Sequence, residues 1–274
     1  AAHRRIFSES ALQFIRRYDL DGLDLDWEYP GQPGAGNPFR AEDGANFTRL
    51  LQELRARFDA GAQPSHRHLL LTIAAGASLP YLEHTQMREA QRYLDQINLM
   101  AYDFYEPGES APTRTGNHAP LFADPADPLG ASADRMVQAF EQAGVPAAKL
   151  VLGVPFYGHA WKGVAPENHG LFQTGSAAPG LRTGYTDVQA LLAQGFTRYW
   201  DQSAQVPWAY NSSTRQFISY EDPESLTRKA AYILQQHLGG VMFWQYFSDP
   251  SGVLLRTLHT AFASPATSAA GGRP

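Results

Sequence analysis

Short apolar runs of strand length recur along this chain, and between them lie stretches whose apolar residues return at helical spacing. Residues 22–27 alternate with period two, while 68–75, 97–102, 149–156 and 241–245 read as strands buried on both faces. Phe7, Ala11, Phe14, Ile15 and Tyr18 form one helical stripe, and Phe47, Leu50, Leu51, Leu54 and Phe58 a second. Further helices are expected over residues 87–94, from Ser132 to about Phe140, and over 254–261. Asp222-Pro223-Glu224 supplies an N-cap, a first-turn proline and an early acid for another. Strand and helix in alternation imply a parallel sheet with helices outside, as an open doubly wound sheet or a barrel. No strand leads into G-x-G-x-x-G or a P-loop, so no nucleotide site is expected.

Two segments break the rhythm. Residues 105–130 are rich in Pro, Gly and Ala and read as a long loop. Residues 161–220 hold short β-like pieces at 196–200, 208–210 and 216–220, without a strong helical stripe. The expected organisation is a core from 1–159 and 221–263, a small subdomain from 160–220, and a disordered Ala/Ser/Gly/Pro linker from 264–274.

Composition removes several functions. With 22 Lys and Arg against 27 Asp and Glu, the net charge is −5, which gives no basic face for nucleic acid. The absence of Cys excludes disulfides, thiolate catalysis and Cys-based zinc sites. No apolar run approaches the roughly 20 residues of a membrane span. The first residues carry charges and lead into an amphipathic helix, so no signal peptide is expected there. A soluble globular protein is the reading, with its oligomeric state left open.

The chemistry is expected in Asp21-Gly22-Leu23-Asp24-Leu25-Asp26-Trp27-Glu28-Tyr29-Pro30. Same-face neighbours on a strand lie about 6.5–7 Å apart, so Asp24, Asp26 and Glu28 share one face. A row of carboxylates inside a barrel suffers repulsion and desolvation, which should raise at least one pKa and leave a protonated acid. Glu28, last in the row, falls nearest the mouth where barrel sites lie and is the expected proton donor. A wet, acidic strand face and a hard-metal site for Mg²⁺ or Ca²⁺ are the alternatives.

The D-x-x-D-x-D-x-E run of Asp21–Glu28 resembles the signature of glycoside hydrolase family 18, the chitinases and related N-acetylglucosaminidases. Met100-Ala101-Tyr102-Asp103-Phe104 resembles that family's sixth-strand motif, Gly153-Val154-Pro155-Phe156-Tyr157-Gly158 its seventh, and Gly240-Val241-Met242-Phe243-Trp244 its eighth. The resemblance implies a (β/α)8 TIM-barrel-type fold with an α+β insertion between strands seven and eight. It also implies a retaining, substrate-assisted hydrolase of chitin or N-acetylglucosamine oligosaccharides that needs no cofactor and no metal. On that resemblance Glu28 is the acid and base, Asp26 orients the substrate's acetamido group, and Asp24 shares a proton with Asp26. Tyr102 donates to the acetamido oxygen and Asp103 contacts the distorted sugar. Trp244 would floor the sugar, with Met100, Tyr157, Tyr29 and Trp161 as further substrate contacts. Trp161 and Trp208 either line the groove or pack the inserted subdomain, and Met100 is equally core filler. His159 stands where related chitinases often have Arg. The other histidines are read as surface or satisfied core, since no pair has metal spacing. Asn46 and Asn211 match weak glycosylation sequons.

Only strands four to eight of such a barrel are present, with the third-strand Ser-x-Gly-Gly motif missing. The sheet is therefore expected not to close, leaving edges exposed, with the chain either paired with a copy or a fragment of a longer secreted protein. The rival readings are a chitin-binding lectin-like protein without turnover and an endo-β-N-acetylglucosaminidase acting on glycoprotein glycans.

Overall fold

The computed structural model describes residues 2–34, 36–61 and 67–263, so the expected linker at 264–274 lies outside the described residues. The chain begins α1 (Ala2–Tyr18), β1 (Gly22–Leu25), α2 (Asp43–Gly61), β2 (Leu70–Gly76), α3 (Leu79–His84), α4 (Met87–Ala90), β3 (Gln96–Met100). It continues through β4 (Thr113–Arg114), α5 (Ala133–Gln142), β5 (Leu150–Pro155), β6 (His159–Lys162), β7 (Thr174–Ala177), α6 (Tyr185–Leu192). It ends with β8 (Thr197–Asp201), β9 (Val206–Asn211), β10 (Gln216–Ser219), α7 (Pro223–Gln235), β11 (Gly240–Trp244) and α8 (Val253–Ala263). Two compact units divide it. One runs to Ala101 and adds Ala133–Gly153 and Leu238–Met242; the other takes Tyr102–Ser132, Val154–His237 and the chain from Phe243 onward.

The first unit is built on a five-stranded sheet in the order β1-β2-β3-β5-β11, open, with β1 and β11 at its edges. The pairs β1/β2, β2/β3 and β3/β5 are parallel, with Asp24 opposite Thr72 and Gly76 opposite Met100. Gly22 sets the first register: a Cβ there would sit 2.0 Å from the Leu70 carbonyl oxygen, so any side chain would push β1 off β2. The interior strands explain the fold class. Every residue of β5 is buried, whereas β11 is only half-buried and its last residue exposed. Helix α2 buries Phe47, Leu51, Leu54 and Phe58, the stripe its sequence predicts. Each such side chain contributes about 1.5–3 kcal/mol on burial.

Helix α1 departs from expectation. Its buried face is Ser8, Leu12 and Ile15, while Phe7, Phe14 and Tyr18 are exposed. The helix is apolar over more than one face, and periodicity does not choose between them. The segment 87–94 forms α4 and a short 3₁₀ turn over Gln91–Tyr93, and α3, capped by Ser78 Oγ accepting from Tyr81 N, was not anticipated.

In the second unit, six strands form an antiparallel sheet in the order β4-β7-β6-β10-β9-β8. Period two sorts its core into two layers. Trp161, Trp208, Tyr210 and Phe217 pack one face with Tyr105 and Leu171, while Ala160, Ala209, Ile218 and Tyr220 pack the other with Val188 of α6. Helix α6 was missed because its N-cap is Gly184, which makes no side-chain cap bond. Helix α7 begins as its sequence signals: Asp222 accepts from Glu224 N and Ser225 N, and Ser225 Oγ accepts from Asp222 N. The 105–130 loop holds only the two residues of β4, yet residues 115–121 are all buried. Neither sequon asparagine is free: Asn211 is buried and accepts from Ser213 N and Thr214 N, and Asn46 accepts from Arg4.

Candidate active site

The residues expected to act on substrate divide between the units: Asp24, Asp26, Glu28, Tyr29 and Met100 in the first, Tyr102, Asp103, Tyr157, Trp161 and Trp244 in the second. In the first, β1 ends at Leu25, so Asp26 and Glu28 lie just past the strand rather than within it. Trp27 meets the Phe47 ring edge-on at 5.8 Å and so faces the helix layer, as alternation requires.

Asp24 and Asp26 are exposed and Glu28 is half-buried, so the crowded, desolvated ladder expected of a closed barrel is not formed. Among the described residues β1 is paired by β2 alone. Asp24 Oδ1 accepts from Thr72 Oγ1 on β2 and, at 3.0 Å, from Asn98 Nδ2 on β3. Both of these partners come from other strands of the sheet and engage the same carboxylate oxygen. The backbone at Glu28 is held from behind, where Asn37 Nδ2 donates to its carbonyl at 3.1 Å. Gly34 lies so close that a Cβ would come within 2.5 Å of the same oxygen.

Sequence reasoning overlooked Tyr81. It is fully buried, stacks 6.1 Å from Phe140, and meets Tyr29 edge-on at 6.1 Å. Burial first, then the neighbouring Tyr29 and Asp26, push its hydroxyl well above the usual tyrosine range, so it stays a neutral donor. Its hydroxyl has no hydrogen-bond partner in the described residues.

In the second unit the chemistry centres on Asp103, held in the left-handed region at φ 61°, which Asp tolerates better than most residues. Tyr157 Oη lies 2.7 Å from both carboxylate oxygens, and His159 Nε2 lies 2.8 Å from Oδ1. His118 Nδ1 stands 3.5 Å from the same oxygen, at ion-pair distance but without a formed hydrogen bond. Burial alone would raise the Asp103 pKa. The pull of His118, His159 and the Tyr157 hydroxyl outweighs it and holds the carboxyl well below its usual range. Burial pushes the His118 imidazole down to about 4, so it is neutral. Burial and then the Asp103 charge push the Tyr157 hydroxyl far up. His118, buried with neither ring nitrogen hydrogen-bonded among the described residues, departs from the reading of the remaining histidines as surface or satisfied core, whereas His3, His68, His84, His169, His237 and His259 are exposed. The cluster was invisible to spacing because its members come from three distant segments.

The aromatics separate by exposure. Trp244 is 55 % exposed, followed by exposed Tyr246 and Phe247, and its carbonyl accepts from Phe156 N at 2.6 Å. Trp161 is 0 % exposed and donates from Nε1 to Thr113 Oγ1. It therefore packs the antiparallel sheet and cannot stack on a sugar, which corrects its assignment as a substrate contact. Trp208 does the same, donating to the His169 carbonyl. Tyr102 packs edge-on against Tyr157 at 6.2 Å, and Met100 is half-buried at the end of β3.

Chitinase A1 of Niallia circulans is 42% identical over 94% of this chain, which spans 39% of that relative's length. Among solved structures, a glycoside hydrolase family 18 N-acetylglucosaminidase from Paenibacillus barengoltzii is 40% identical with a TM-score of 0.86, covering 95% of this chain and 76% of its own. A class V chitinase from Nicotiana tobaccum, solved in complex with NAG4, is 33% identical with a TM-score of 0.84, covering 95% and 74%. The family model described as glycosyl hydrolases family 18 matches residues 1–249, and the chain belongs to that family.

Proposed function

We propose that the chain hydrolyses β-1,4 bonds in chitin and N-acetylglucosamine oligomers with retention of configuration. The observation behind this is the Asp24–Asp26–Glu28 run at the end of β1, with Glu28 half-buried and its backbone held by Asn37 and Gly34. Glu28 gives its proton to the glycosidic oxygen while the acetamido carbonyl oxygen attacks the anomeric carbon. The carbon–oxygen bond to the leaving sugar breaks and an oxazolinium ring closes. Water then adds to the anomeric carbon as its bond to the acetamido oxygen breaks and the acetamido group re-forms, and Glu28 takes back a proton from the water. Asp26 accepts from the acetamido N–H and offsets the positive charge as it develops; Tyr102 donates to the acetamido oxygen. Asp24, held by Thr72 and Asn98, supports Asp26. Asp103, fixed as a carboxylate by Tyr157 and His159, accepts from a sugar hydroxyl. Exposed Trp244 supplies a stacking face, with Met100, Tyr157 and Tyr29 as further contacts. Residues 160–220 serve as the inserted subdomain.

The chemistry proposed calls on no cofactor. The polymer substrate suits a secreted enzyme, and no helix among the described residues is long and apolar enough to cross a membrane.

The test is product release from N-acetylglucosamine hexamer by the purified chain beside Glu28→Gln, with circular dichroism on both. Loss of the general acid should lower turnover by about 10²–10⁴-fold while the spectra coincide. Equal turnover in the two chains would refute the assignment of Glu28. Binding of hexamer without turnover in either would favour a lectin-like protein.

A further inference from the structure

We propose that Asp103, His118 and His159 form a site for one borderline-soft divalent ion of the Zn²⁺ or Cu²⁺ class. Their ligand atoms lie within 4.8 Å of one another, although the residues come from three segments: the turn after β3, the buried loop before α5, and the start of β6. The decisive residue is His118. It is wholly buried, and neither ring nitrogen has a hydrogen-bond partner in the described residues. An orphaned buried polar group is costly, and an apolar side chain of that size would avoid the cost. An unpartnered buried imidazole beside a carboxylate and a second imidazole is an arrangement that a bound metal ion would satisfy.

The distances fit. Bonds of about 2.1 Å in a tetrahedron set the ligand atoms about 3.4 Å apart. Asp103 Oδ1 and His118 Nδ1 already stand 3.5 Å apart. The 2.8 Å between Asp103 Oδ1 and His159 Nε2 is a hydrogen bond; it widens by about half an ångström when an ion takes the place of the proton. Glu106 Oε1, 3.7 Å from His159 Nε2, is at hand for a fourth position, and water can fill it otherwise.

The surroundings are those of a prepared site. Tyr157 holds the carboxylate, the role an outer-shell donor plays for a metal ligand. His118 is fixed by its own backbone, N–H to Ser219 Oγ at 2.9 Å and carbonyl from Phe104 N at 3.0 Å. Asp103 and His159 are 32% and 18% exposed, which leaves a path for the ion. Two imidazoles and one carboxylate favour Zn²⁺ or Cu²⁺ over Mg²⁺ and Ca²⁺, which prefer all-oxygen sets.

Occupancy would take Asp103 Oδ1 away from a sugar hydroxyl and so inhibit hydrolysis, a consequence that rests on the proposed sugar contact of Asp103. Binding itself does not depend on it. The experiment is calorimetric titration of the EDTA-treated chain with ZnCl₂, beside His159→Gln and His118→Asn, with spin-resonance spectra of the CuCl₂-loaded chains. One ion should bind per chain, with affinity falling at least about tenfold in each variant, and Cu²⁺ should show two nitrogen ligands reduced to one. Circular dichroism checks His118→Asn, and part-exposed His159 gives a variant that spares the core. No binding, or binding unchanged in His159→Gln, overturns the site. Stoichiometric binding that leaves hexamer cleavage untouched upholds the site and refutes the sugar contact of Asp103.

Discussion

The Lys229–Glu221 pair offers the sharpest test of how the second unit is held. Both side chains are essentially buried, at 1% and 0% exposure, and Lys229 Nζ donates to Glu221 Oε1 and, at 2.6 Å, to the Ala119 carbonyl. Lys229→Met keeps the length of the stem but removes the charge, leaving a carboxylate inside with only the Ser225 hydroxyl, 2.5 Å away. Breaking a buried pair on one side costs about 3–5 kcal/mol. At about 2–4 °C per kcal/mol for a chain approaching this size, the melting temperature should fall by roughly 6–20 °C.

The deficit should also depend on pH in a definite direction. Burial already raises the Glu221 pKa, with the Lys229 charge opposing it. Without Lys229 the carboxyl rises further, so the folded state holds a proton that the unfolded state has released above about pH 4.3. Stability of the variant then falls as pH rises through that window and is greatest below it. Calorimetric melts of wild type and variant should therefore converge toward acidic pH and separate toward neutrality. Adding Glu221→Gln should recover much of the loss. A variant that melts within about 2 °C of wild type at neutral pH would refute the reasoning, because a stranded buried charge cannot be that cheap.

Trp161→Ala should cost about 3–5 kcal/mol in denaturant midpoint measurements, whereas Trp244→Ala should change stability by less than about 0.5 kcal/mol and raise KM for hexamer; the reverse pattern would exchange their roles. Tyr157→Phe removes a donor that helps hold Asp103 ionised, so its pKa must rise. The acidic limb of the kcat/KM profile should then move to higher pH, and an unmoved limb would separate Asp103 from the reaction. Asn98→Ala leaves Asp24 with Thr72 alone and should lower kcat on hexamer by about tenfold at unchanged circular dichroism; unchanged kcat would show that Asp24 needs no such anchor.

Legibility in the sequence followed the range of the forces involved. The strand-helix alternation, the capping of α7 at Asp222 and the buried stripe of α2 are local patterns, and the structure matches them. Helix α1 shows where local pattern stops, since Phe7, Phe14 and Tyr18 are as periodic as the Leu12 face that packs. Trp161 and Trp244 are the same residue type near strand ends, and only the sheet layers decide that one is core and the other exposed. The carboxylate run was legible as a motif but its environment was not: Asp24 and Asp26 are exposed, and Asp24 is held by Thr72 and Asn98 from two other strands. His118 and His159 meet Asp103 through a loop anchored by Lys229 at Ala119 and a strand paired with β10, contacts that no spacing rule encodes.

The position of β1 carries a kinetic consequence. A strand hydrogen-bonded on one flank opens at a lower free energy than its interior neighbours, and its amides exchange with solvent sooner. The acids beyond Leu25 are therefore presented by an edge strand, which, among the described residues, β2 and the Asp24 clasp by Thr72 and Asn98 hold in register. Fraying of that strand removes Glu28 from service while the rest of the chain stays folded. On warming, activity should fade ahead of the main unfolding transition, with the amide protection of β1 tracing the loss.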